Sequence, residues 1–180
     1  LFGYHFSPVT SLITEIEYEH VKEVYIEQAF LNYRLNPKLN IRGGLLLVPM
    51  GITNEYHESP TFNGVERPLI DKYLAPTTWR EIGAGISGVL PSMTLKYQAY
   101  VMNGFNGYDG TAHLNGKYGL RKGRQKGAES FISSPNLAGK IEYYGILGMN
   151  LGISGYFGKT QSGLYDGISK DNTMALEQAD

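Results

Sequence analysis

The chain has 180 residues and a formal charge of −1, with 23 glycines, 14 tyrosines, one tryptophan and no cysteine. Near-neutral charge leaves no basic footprint for nucleic acid, and the lack of cysteine excludes a disulfide framework and thiol chemistry. No apolar run approaches the ~18 residues of a membrane helix, the longest being the proline-containing stretch 45–50.

Residues 2–6 read as a short strand stopped by Ser7-Pro8. Residues 11–20 alternate strictly, with Leu12, Thr14, Ile16 and Tyr18 on one face and Ile13, Glu15, Glu17 and Glu19 on the other. That period of two rules out a helix. Val21-Lys22 turns the chain into residues 23–35, where Ala29, Leu31, Tyr33 and Leu35 share a face. The alternation fails at Glu27, and a β-bulge near Glu27-Gln28 would turn that carboxylate to the polar side. A tight connection at 36–39 leads into the strand 40–50.

Residues 51–80 form a long loop dense in Pro, Gly and charge. Its prolines Pro60, Pro68 and Pro76, with Pro49 just upstream, and the charged Arg67 and Asp71 predict a fixed fold rather than a flexible tether. The next strand, 81–90, sets Ile82, Ala84, Ile86 and Leu90 against Glu81, Gly83, Gly85 and Ser87. After a turn at 90–93, the strand 94–103 alternates Leu95, Tyr97, Ala99 and Val101 with Lys96, Gln98 and Tyr100. Residues 104–137 form a second long loop, rich in Gly, Asn, Lys and Arg. A last hairpin follows from 138–147 and 151–158, and 159–180 reads as the start of a third long loop.

About eight strands are thus expected in an antiparallel up-and-down order, with the short turns at one end and the long loops at the other. Strands of about nine to eleven residues with this period have the length needed to cross a bilayer at a tilt.

The stretches Gly44-Leu-Leu-Leu-Val-Pro-Met-Gly-Ile-Thr-Asn-Glu55, Ser59-Pro-Thr-Phe-Asn-Gly-Val-Glu-Arg-Pro68 and Pro76-Thr-Thr-Trp-Arg-Glu81 resemble the outer-membrane porins grouped as the phosphate-selective porin O and P family. The resemblance is specific over residues 40–90 and looser on both sides. It implies an all-β transmembrane antiparallel up-and-down β-barrel in the outer membrane of a Gram-negative bacterium, through which small hydrophilic solutes or ions diffuse. It does not imply phosphate as the solute. The partners it implies are outer-membrane lipid and lipopolysaccharide, the permeating solutes and other copies in a homo-oligomer. No cofactor and no metal are implied.

No signal peptide is visible at the start, and the polar C-terminus lacks a closing strand that ends in an aromatic residue. Residues 1–180 are therefore expected to be one barrel segment, incomplete at both ends, since an eight-stranded barrel would be poorly filled by so many inward charges.

On this frame Glu15, Glu17, Glu19, Arg34, Arg42, Glu81, Lys96, Gln98, Lys140 and Glu142 line the pore. The loop motif Glu66, Arg67, Trp79 and Arg80 covers or enters its mouth, with Glu66 or Arg67 in a buried ion pair. Pairing 35 with 41 across the 36–39 turn would place Arg34 opposite Arg42 and give a basic zone with a weak anion preference. No catalytic constellation stands out. His57, between Glu55 and Glu58, has the composition of a metal ligand but reads better as part of a solvated loop. The rival readings are a non-conducting barrel subunit that binds a partner through its long loops, and a soluble β-sandwich that binds carbohydrate through its tyrosines.

Overall fold

A computed structural model describes residues 1–19, 22–56, 68–70, 74, 78–127 and 130–162. The long alternating runs become β1 (Phe2–His5), β2 (Thr10–Glu19), β3 (Glu23–Asn36), β4 (Leu39–Leu47), β5 (Arg80–Leu90) and β6 (Leu95–Met102). They continue with β7 (Asn106–Tyr108), β8 (Asn136–Ile146), β9 (Met149–Phe157) and β10 (Gln161–Ser162). One eight-stranded sheet runs β1-β2-β3-β4-β5-β6-β8-β9, and every neighbouring pair in it is antiparallel. The all-β, sequentially wound architecture expected from the alternation is therefore present. The sheet is open, with β1 and β9 at its edges among the described residues.

The short strands β7 and β10 were not legible as strands. They pair in parallel in a separate ribbon outside the main sheet. Each is held by few ladder bonds, so neither generates a run of alternation long enough to read.

The main sheet has three register shifts, one of them between Tyr143 and Ile146 beside the β8–β9 turn, and the two in β3 decide which side chains meet. Glu15 pairs with Gln28 but Ile16 pairs with Ile26, which leaves Glu27 as the extra residue of a β-bulge. Glu27 is only 2% exposed, so the bulge does turn its carboxylate off the apolar face, as the broken alternation predicts. A second shift between Arg34 and Asn36 corrects the turn arithmetic. Arg34 pairs with Asn40, and Arg42 pairs with Asn32, so the two arginines are not opposite each other. Leu35 is the residue that an even count of the turn omits.

Away from the bulges the two-residue period separates the faces cleanly. Ile82, Ile86, Val101, Ile141, Leu151 and Ile153 lie on one face, between 41% and 73% exposed. The opposite, inner face carries Arg42, Gln98, Tyr100, Lys140 and Glu142, and the loops fold over it. At its long-loop end Phe30, Leu46, Tyr100, Met102 and Ala138 pack with the loop residues Val48, Trp79 and Phe105 into a buried cluster. Met50, Leu114, Leu120 and Tyr156 border it. Trp79 stacks on Phe105 with ring centroids 4.6 Å apart and meets Tyr156 at 4.7 Å.

Gly85 shows how closely the inner face is packed. It stands between Arg42 and Tyr100 in register, and a side chain there would strike the Ala99 carbonyl and the Tyr100 ring. Gly85→Val is expected to destabilise the sheet by roughly 1–3 kcal/mol through overpacking. Urea unfolding followed by far-ultraviolet circular dichroism measures it, and an unchanged midpoint would show that Tyr100 can move aside.

Candidate functional site

The inner face is built in rows, because antiparallel register sets one residue of each strand beside the next. Asn40, Ser87, Gln98, Lys140 and Ser154 form one row. Arg42, Gly85, Tyr100, Ala138 and Tyr156 form the next row towards the long loops. The polar rows thus lie towards the short turns, and the packed aromatic cluster lies beyond them.

Across the polar rows lies the start of the first long loop. Its two ends are tied together by Asn54, whose amide donates to the carbonyls of Val48 (2.7 Å) and Trp79 (2.8 Å) and accepts from the Trp79 amide (2.8 Å). Glu55 then reaches across the sheet. One of its oxygens accepts from Gln98 Nε2 and the other from Lys140 Nζ, each at 2.6 Å. Lys140 also contacts Glu142 Oε1 at 3.1 Å, with its side chain only 3% exposed. Gly51 N donates to Ser154 Oγ at 2.9 Å, which pins the same turn to β9. An ammonium this buried would be costly alone, so the two carboxylates are what permit it to sit here.

The turn at 51–56 divides the space over the inner face. On one side is a cavity of about 270 Å³ lined by Arg42, Tyr56, Ser87, Lys96 and Gln98. On the other is one of about 250 Å³ lined by Ile52, Tyr56, Lys140, Asn150 and Ser154. Arg42 is held rigidly: its Nε donates to Asn32 Oδ1 (3.0 Å), its Nη1 to the Tyr100 hydroxyl (3.3 Å), and its guanidinium lies 5.3 Å from the Phe30 ring centroid.

The remaining expected wall residues have different surroundings. Glu15 accepts from Gln28 at 2.6 Å, Glu17 stands beside Tyr25, and Glu19 pairs with Glu23 at the end of β2. Arg34 is exposed and donates to the Pro8 carbonyl at 2.8 Å, away from Arg42. Lys96 is exposed opposite Glu142, and its ammonium lies 5.8 Å from the Tyr144 ring. Glu81 points inward but is fully buried beneath the loops, accepting from Trp79 Nε1 (3.1 Å), Asn103 Nδ2 (2.5 Å) and the Gln125 amide (3.2 Å). Trp79 is 2% exposed, and Arg80 is buried over the Tyr25 ring at 4.7 Å. Glu66, Arg67, His57 and Glu58 lie outside the described residues. No cluster of potential metal ligands occurs among the described residues.

Sequence reading placed Tyr100 on the polar face with Lys96 and Gln98 but missed Glu55 as a wall partner, along with Asn103, Gln125 and Tyr156. The contacts of Glu55 span 43 and 85 residues, and no local period marks a loop residue that distant strands will hold. Its one signal was a place in the motif 44–55.

Comparison with known proteins gives one relative of substantial similarity. No family model matches the chain, and no solved structure matches it. A protein of Aquifex aeolicus described as an uncharacterized protein is 36% identical over 169 residues, covering 89% of this chain. The chain spans only 38% of that relative's length.

Lys140→Met removes the group that both Glu55 and Glu142 face. It is expected to cost about 3 kcal/mol, the lower end for breaking a buried ion pair, because the partners keep some solvent contact. Glu55→Gln, which keeps hydrogen-bonding capacity, should cost less. Chemical denaturation of both variants checks the order, and equal losses would mean that the charge of Glu55 is immaterial.

Proposed function

We propose that the chain is part of an outer-membrane β-barrel that lets small hydrophilic solutes or ions diffuse passively across the membrane. The observation that carries this reading is the outer face of the eight-stranded sheet. It is a broad field of exposed Ile, Val and Leu side chains running across all the long strands, larger than soluble monomers leave uncovered. Lipid is the natural partner for such a face. The charged and amide side chains occupy the opposite face, which is the alternation of a membrane barrel with a polar interior. The strands β2, β3, β4, β5, β8 and β9, of nine to fourteen residues, reach the length of about nine to eleven residues that crosses a bilayer at a tilt, and β6, with eight, is about one residue shorter. Selection would then follow from the width left by the 51–56 turn and from the charge of the rows beside it.

The second reading, a non-conducting subunit that binds a partner through its loops, draws on a specific feature. At the long-loop end the inner face is sealed by the Trp79–Phe105–Tyr156 cluster instead of being open to water. Channel current separates the two readings, because a plugged scaffold passes none.

Full-length protein reconstituted in planar bilayers should therefore show stepwise conductance. A flat trace in folded, inserted protein would sink the channel reading. Ala99→Arg should cost about 2–4 kcal/mol of stability in lipid if that position sits near the midplane. High accessibility of a spin label at Ala99 to a water-soluble relaxant would place the face in water and refute the membrane assignment.

A further inference from the structure

We propose that the 270 Å³ cavity beside the 51–56 turn is a binding subsite for a small hydroxylated monocarboxylate, with Arg42 as the residue that takes its carboxylate. The proposal rests on the inner face being the solute side of the wall. Within that reading it names the class of solute.

Charge selects the ligand. Arg42 and Lys96 line this cavity with Glu55 and Glu142, and Lys140, outside the lining, bridges both carboxylates, so the cluster as a whole carries +1. Both carboxylates are engaged by Lys140. Among the described residues neither Arg42 nor Lys96 has a carboxylate within ion-pair reach, so the uncommitted charge is cationic. A single negative charge balances the site. A dianion such as hydrogen phosphate would leave excess charge facing Glu55 and Glu142, and like charges at short range are unfavourable.

Geometry selects the headgroup. The Arg42 guanidinium is fixed by Asn32, Tyr100 and Phe30, which leaves a planar, preorganised fork, the shape that meets a carboxylate with two parallel bonds. The remaining lining selects a hydroxylated body. Asn40, Ser87 and Gln98 present donors and acceptors along one row. Ser87 is 4% exposed, and its hydroxyl stands beside the Tyr100 hydroxyl at the cavity wall. A hydroxyl is both donor and acceptor, so at a cavity wall it has capacity for a ligand hydroxyl as well. The volume falls below the ~300–1,000 Å³ of sites for drug-sized ligands and suits a small solute.

The test is calorimetric titration of detergent-solubilised full-length protein with sodium gluconate, glucose and inorganic phosphate at pH 7.5. Gluconate should bind at least about tenfold more tightly than either of the others. Arg42→Gln should weaken it about tenfold or more, the loss expected for a charge-assisted pair. Lys96→Gln should weaken it about threefold, and Lys96 is exposed enough that its loss leaves the fold intact. Heat-modifiable gel migration verifies that each variant is folded. Phosphate binding as tight as gluconate, or folded Arg42→Gln and Lys96→Gln proteins that bind gluconate unchanged, would overturn the proposal. Bilayer conductance is read separately. Gluconate binding without current retains the subsite and removes the channel, whereas current without gluconate binding does the reverse.

Discussion

Every contact on the inner face depends on register. Side chains alternate with a period of two, so a slip of one residue in any pairing would send Arg42, Gln98 and Lys140 to the apolar face and bring the isoleucines inward. The structure holds register with two devices. One is the set of short turns that join consecutive strands at one end of the sheet. The other is the pair of bulges in β3, at Glu27 and at Leu35, with a third shift beside the β8–β9 turn, each absorbing an odd residue without inverting the rest of the strand. The Glu55–Lys140 bridge is a result of this order, since it needs β6, β8 and the loop to arrive in phase.

Lys140 also explains why a loop can lie on the sheet at all. A peptide turn laid over a polar wall loses water on both surfaces, and the loss has to be matched by bonds of good geometry. Glu55 provides one to Gln98 and one to Lys140, Gly51 provides one to Ser154, and Asn54 closes the base of the loop on itself. The arrangement concentrates the cost of an ammonium in a place where two carboxylates already lie. Coupling of that kind favours a single loop position over a family of them.

The strands were legible because their information is local. The alternation in 11–20, 81–90 and 94–103 states both the element and the face of each residue, and the one breach of it, at Glu27, marked a bulge. The Arg34 and Arg42 arithmetic failed for a related reason. A single bulged residue in a hairpin leaves no trace in composition, and Leu35 fits either register. The loops were legible only as loops. The burial of Glu81 among Trp79, Asn103 and Gln125 is made by residues up to 44 positions away, and nothing in Glu81-Ile-Gly-Ala distinguishes a wall position from a sealed one. Partner identity across such distances follows from the assembled sheet.

The single tryptophan has a consequence for how the molecule is assembled in time. Most pairings within the main sheet join consecutive strands through short turns, and only β4–β5 and β6–β8 close the two long loops, so the sheet can grow largely hairpin by hairpin. The stack of Trp79 on Phe105 joins the first long loop to the second, and completing it with Tyr156 requires β9 to be in place. Contacts between distant parts of a chain form late, because their loop-closure entropy is recovered only after the nearer ones exist. Trp79 is thus a natural clock. Its emission reports the last act of folding, when the loops settle onto a wall that is already built, and lags any signal that follows the strands alone.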